Sequence, residues 1–98
     1  MRFLVEITVD LPAELRDPQS TRRAELLAAE LARGVELRRA RTIETIWRVP
    51  GELRNVGIWN AADATALHKA LTSLPLSPWM RTEVTALAHH PVELEVAR

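Results

Sequence analysis

Ile43-Glu44-Thr45-Ile46-Trp47-Arg48-Val49-Pro50-Gly51-Glu52-Leu53-Arg54-Asn55-Val56-Gly57-Ile58-Trp59-Asn60 is the most informative stretch of this chain. It contains two strand-like runs, Ile43–Val49 and Leu53–Asn60, rich in β-branched and aromatic residues and joined through Pro50-Gly51-Glu52. That pattern is a hairpin. A turn centred on Pro50-Gly51 would be type II, which splays strands, whereas Gly51-Glu52 gives type II′, whose twist matches them. The second centre is favoured and sets Arg48 opposite Asn55 and Ile46 opposite Gly57. Arg48, Asn55, Gly57 and Trp59 then share one face, and Trp47, Val49, Val56 and Ile58 the other.

Outward from the hairpin, residues 2–9 alternate with the period of a half-buried strand, Phe3, Val5, Ile7 and Val9 on one side. Residues 13–19 read as a loop, with Ser20 or Thr21 as the next N-cap. From about Arg22 to Ala40 strong helix formers dominate, and Ala24, Leu27, Ala28, Leu31 and Val35 predict the buried stripe. Asn60 is the expected cap of a second helix, with Asp63 in a box-like position and Ala64, Leu67, Leu71 and Leu74 facing inward. Pro75 and Pro78 end it. Thr82–His89 predicts a last strand, and no packing partner within the chain is identified for the tail 92–98.

The order β-α-β-β-α-β predicts an α+β, ferredoxin-like sandwich spanning 1–98 as one domain. Both helices fall on one side of such a sheet. Leu4, Ile46, Leu53, Trp59 and Leu87 are expected on the other, too apolar to stay wet, so at least a dimer is predicted.

Composition narrows the function classes. Thirteen basic residues balance thirteen acidic ones, leaving no global field for nucleic acid or an anionic membrane. Cysteine is absent, which removes thiolate chemistry. No segment approaches a membrane span and no signal peptide is read at the start, so a cytoplasmic protein is expected. His89 and His90 point to opposite faces of a strand and His68 has no second histidine at ligand spacing, so no metal site is expected.

Ile46-Trp47-Arg48-Val49-Pro50-Gly51 with Asn55 and Trp59 resembles the central hairpin of the muconolactone isomerase family. Leu67-His68, then Leu74-Pro75-Leu76-Ser77-Pro78-Trp79-Met80, Glu83-Val84 and His90-Pro91, resemble its second helix and final strand, and Thr8-Val9-Asp10-Leu11-Pro12 its opening. The resemblance runs nearly end to end. It implies a dimeric α/β-barrel unit in a larger ring, a decamer in the best-known members. It also implies conversion of muconolactone to 3-oxoadipate enol-lactone in aromatic catabolism (the β-ketoadipate pathway), without metal or organic cofactor. Departures cluster around the pocket: Glu52 and Leu53 stand where the family has histidine and tyrosine, Gly57 replaces a serine, Asn60 an aspartate and Ser77 a bulky aromatic.

Shifting a proton along a conjugated lactone needs a base near an acidified carbon and donors for the developing enolate oxygen. Glu30 is the candidate base. Its helical neighbours Leu26, Leu27, Arg33 and Gly34 make a drier surrounding than those of Glu25 or Glu36, and it matches the family's helix glutamate. The alternative is a boundary glutamate paired with Arg33. Arg48 and Asn55 are candidate ligands for the lactone carboxylate and carbonyl. Trp59, Trp79 and His68 are further candidates for the pocket wall. Other functions the pattern allows are a dehalogenase, a cyclase or a cofactor-free oxygenase on another small carbonyl compound, or a non-catalytic ligand-binding oligomer.

Overall fold

The computed structural model describes residues 1–98. Its regular elements are β1 (Arg2–Val9), α1 (Ala13–Arg16), α2 (Thr21–Arg39), β2 (Ile43–Arg48), β3 (Arg54–Asn60), α3 (Ala64–Thr72), β4 (Met80–Leu87) and α4 (Pro91–Val96), with a single 3-10 turn at Ser77–Trp79. The sheet order is β2-β3-β1-β4, every neighbouring pair antiparallel. With α2 and α3 on one side, this is the expected ferredoxin-like arrangement. The core joins both layers: Phe3, Val5, Ile7, Ile43 and Trp59 of the sheet meet Leu37 of α2 and Leu67 and Leu71 of α3.

The hairpin register agrees with expectation, Arg48 opposite Asn55 and Ile46 opposite Gly57. Its turn does not. Glu52 N donates to Val49 O at 3.3 Å and Gly51 takes φ +78°, a type II turn about Pro50-Gly51. Proline pre-sets the first central residue and glycine alone accepts the second. Glu52 and Leu53 lengthen the connection to four residues, closed by Val49 N donating to Arg54 O at 3.0 Å, which relieves the splay of a two-residue type II link. β2 also carries an irregularity between Ile43 and Thr45.

Three expectations about faces and caps are corrected. Trp59 lies opposite Phe3 and Gly57 opposite Val5, so β3 turns Asn55, Gly57 and Trp59 toward the helices, together with Ile46 and Arg48 of β2. Trp59 is wholly buried there and does not lie on the uncovered face. That face carries Leu4, Trp47, Val56, Ile58 and Leu87. On α2 the inward residues are Arg23, Leu26, Glu30, Gly34 and Leu37, while Leu31 of the predicted stripe is 70% exposed and Leu27 and Val35 each 37%. The apolar stripe is real, but nothing in this chain covers it. Asp63, not Asn60, caps α3, accepting from Ala66 N at 2.8 Å; Asn60 instead ends β3 and donates to Arg41 O at 3.0 Å. Ser20 caps α2 as expected, through Arg23 N at 3.1 Å.

The segment read as a loop forms α1, whose Leu15 is buried with Leu11 and Leu76. Arg16 pins it by donating to Leu11 O at 2.7 Å and to Asp10 at 3.0 Å. The tail forms α4, with His90 as its N-cap and every side chain exposed. No helix is long and apolar enough to cross a membrane.

Candidate active site

α2 packs against β2, and its inward stripe is unusual in placing charged residues among leucines. Glu30 is the central example. Its Oε1 accepts the backbone N–H of Leu76 at 2.9 Å, in the turn that follows α3. Burial holds its carboxyl above the ordinary glutamate value of 4.5, and the Leu76 N–H draws it only part of the way back. The alternative partner is occupied elsewhere: Arg33 donates to Ser73 Oγ and to Glu36, both at 3.0 Å. Glu30 is thus a half-buried carboxyl with no cation beside it, an environment that raises its basicity.

Glu30 lies two helical turns before Leu37, about 10 Å along the axis, and three residues of strand span a similar length. Leu37 and Trp59 belong to the same core cluster, so by these rises Glu30 falls toward the Asn55–Gly57 level of β3. On the facing sides of the two layers the chain leaves three buried polar atoms without partners: Arg23 Nε, Asn55 Oδ1 and Trp59 Nε1. All three belong to residues on the facing sides of α2 and β3. Each orphan costs about 1–3 kcal/mol unless water or a ligand satisfies it. Full burial of an indole returns about 5 kcal/mol from ~200 Å² of surface, which explains why Trp59 is tolerated there. A row of such atoms beside a pKa-shifted carboxyl marks a ligand site.

The remaining expected residues divide. Arg48 ends β2 on the same face, opposite Asn55, exposed and without an ion-pair partner, at the mouth of this space. Trp79 lies in the 3-10 turn beyond Leu76, where the Arg22 guanidinium sits 6.0 Å from its ring centre, so it borders the site from the loop end. His68 is exposed on α3 and is not brought to the site. Arg23 escaped sequence reading. It lines an apolar cleft with Leu11, Leu15, Leu26, Leu27 and Leu76, with no acid beside it. Its spacing of seven residues from Glu30, two turns on one face, was the available signal. A cavity of about 390 Å³ between Arg38, Arg39, Arg41, Glu44 and Asn60 lies at the opposite end of α2 and holds no part of this constellation.

The chain is similar to known proteins of one kind throughout its length. The family model described as muconolactone delta-isomerase matches residues 1–93. The muconolactone delta-isomerase of Pseudomonas aeruginosa is 36% identical over 91 residues, covering 93% of this chain and 92% of that protein. That of Rhodococcus opacus is 38% identical over 88 residues, covering 90% and 91%. A crystal structure of muconolactone isomerase superposes with a TM-score of 0.81 at 35% identity over 93% of this chain and 92% of the other. The 5-chloro-2-hydroxyhydroquinone dehydrochlorinase of Burkholderia phenoliruptrix, at 20% identity and a TM-score of 0.66 over 94% and 98%, shares the fold alone.

Proposed function

The chain belongs to the muconolactone delta-isomerase family, and from that membership we propose that it converts muconolactone to 3-oxoadipate enol-lactone, a step of aromatic catabolism in the cytoplasm. The observation that carries this reading is Glu30, a half-buried carboxylate with a raised pKa and no counter-ion, facing a row of unpaired polar atoms.

The reaction moves one proton. Ionised Glu30 takes the proton from the ring carbon that bears the ring oxygen and the acetate arm. The released electron pair delocalises through the ring double bond onto the carbonyl oxygen, forming a dienolate. Glu30 then returns the proton to the carbon next to the carbonyl, and the double bond settles at its new position. One carboxylate suffices if both carbons present the same face. Raised basicity brings its pKa toward that of the reaction's proton transfers, and partial exclusion of water strengthens each polar contact. The two arginines have separate uses. Arg23, with its stem in the leucine cleft and its Nε unpaired, holds the substrate carboxylate; Arg48 at the mouth draws it in. Asn55 supports a lactone oxygen through its side-chain amide N–H, the donor end of the group.

A second copy of the chain completes the enclosure. The radius of gyration is 15.5 Å, against about 12.6 Å for a compact chain of this length. The accessible surface is 6989 Å², against roughly 5,600 Å² for a folded monomer of this mass. Besides the wholly exposed α4, that excess includes an uncovered sheet face bearing Trp47 and Leu87 and an uncovered α2 flank. Association buries both.

Incubating purified protein with muconolactone and following the ring protons by NMR tests the activity. Loss of the lactone signals with appearance of the enol-lactone supports it. An unchanged lactone, with turnover of a halogenated analogue instead, would replace it with the dehalogenase alternative.

A further inference from the structure

The C-terminal end of α2, two turns beyond Glu30, carries a separate concentration of charge. Arg38, Arg39, Arg41, Glu44 and Asn60 surround a cavity of about 390 Å³, and no apolar residue lines it. None of the three arginines enters an ion pair. The one acid of the lining is already engaged, since Arg2 Nε and Nη2 both reach Glu44 Oε1 at 3.0 Å. Three positive charges therefore border this space without compensation. The helix dipole accounts for Arg38 and Arg39, which lie in the last turn of α2 beside its negative pole. It does not account for Arg41. That residue lies beyond the helix at φ +64°, the left-handed conformation in which helices commonly end on glycine and which a side chain makes costly. Asn60 Nδ2 holds it there by donating to Arg41 O at 3.0 Å, and Asn60 N anchors the next residue through Thr42 O at 2.7 Å. The chain thus keeps an arginine where the backbone favours glycine, on the lining of a polar cavity.

We propose that this cavity is a second binding site, for a small oxyanion bearing more than one negative charge, of the phosphate or dicarboxylate kind. Guanidinium groups recognise both through paired N–H···O bonds. Three arginines on one lining exceed what a single carboxylate neutralises, which favours a ligand of higher charge. The volume is that of a small-molecule pocket, and a lining without apolar surface gives no purchase to a ligand held by hydrophobic contact. The site stands apart from the lactone chemistry, because neither Glu30 nor Arg23 lines it. Its lining joins the end of α2, the start of β2 through Glu44 and the end of β3 through Asn60. An anion bound there ties these three elements together and stabilises the folded chain by mass action.

Thermal melts and amide NMR test this with two probes, inorganic phosphate and succinate, each against sodium chloride at matched ionic strength. At a hundredfold excess over its Kd, at least one probe is expected to raise the melting temperature by about 5 °C or more beyond the chloride control. The backbone amide signals of Arg41 and Asn60 should shift and saturate in the same titration. A response to phosphate alone identifies a phosphate-type ligand, to succinate alone a dicarboxylate, and either supports the site. Arg41→Gly removes the guanidinium and suits the left-handed backbone, so its melting temperature without probe is expected to equal or exceed the parent's. Its affinity for the probe should fall by roughly tenfold or more, and Arg39→Gln should weaken binding in the same direction. Arg23→Met, which alters the lactone site, should leave the response intact. A melting temperature that follows ionic strength alone, or a probe affinity unchanged in Arg41→Gly, would overturn the proposal. So would a response that disappears in Arg23→Met, since the anion would then occupy the lactone site.

Discussion

Replacing Glu30 by glutamine separates the chemistry of this site from its architecture. Glutamine keeps the length of the side chain, and its amide oxygen can still accept the Leu76 N–H that now lies 2.9 Å from Oε1. What disappears is the capacity to take a proton. Positioned acid–base groups contribute about 10²–10⁴ in rate, so kcat is expected to fall by at least about a hundredfold. Stability should move the other way at neutral pH. Burial raises the folded-state pKa of Glu30, and the Leu76 bond offsets only part of that rise. A carboxyl whose pKa is higher folded than unfolded binds more protons in the folded state. Its stabilising contribution is complete below the unfolded value and is lost as pH rises through the raised folded one. Glutamine carries no such penalty. The melting temperature of Glu30→Gln relative to the parent should therefore climb as pH rises above the ordinary glutamate range. Over the same window kcat/KM of the parent should rise as the base ionises. Initial rates by ultraviolet absorbance and thermal melts at several pH values read both effects. A variant with more than about a tenth of the parental rate, or one that loses melting temperature relative to the parent as pH rises, would refute the reasoning.

Arg23→Met keeps an apolar stem in the leucine cleft and removes the unpaired guanidinium. A charged hydrogen bond is worth about 1.5–3 kcal/mol, so KM should rise by roughly tenfold to hundredfold, with kcat and melting temperature little changed; a parental KM would return the carboxylate to Arg48 alone. Leu31→Asp places a charge on the α2 flank where Leu31 is 70% exposed. Sedimentation should then show a smaller assembly with an unaltered circular dichroism spectrum, and an unchanged sedimentation coefficient would remove that flank from the interface.

The fold was legible where local chemistry and pairing agree. Alternation in residues 2–9, the hairpin register and the Ser20 cap all follow from short-range rules, and the sheet observes them. Sequence reasoning failed where a residue's surroundings come from elsewhere. α2 has one flank of Ala24, Leu27, Ala28, Leu31 and Val35 and another of Arg23, Leu26, Glu30, Gly34 and Leu37. Hydrophobicity selects the first as core, because periodicity cannot distinguish burial in the same chain from burial against another. Glu30 was found by its apolar neighbours, but its bond to Leu76 joins residues 46 apart and has no sequence signal. Trp59 was assigned to the open face because an apolar count ignores which partner each strand residue meets; its pairing with Phe3 puts it in the core. The turn type was misread because the connection is longer than the two-residue loop assumed.

Muconolactone deuterated at the ring carbon beside the ring oxygen interrogates the proton transfer itself. If a single carboxylate takes and returns the hydrogen, turnover slows relative to unlabelled substrate and part of the deuterium reappears in the product on the carbon next to the carbonyl. Equal rates for both substrates, with only solvent hydrogen at that carbon, would contradict the transfer assigned to Glu30.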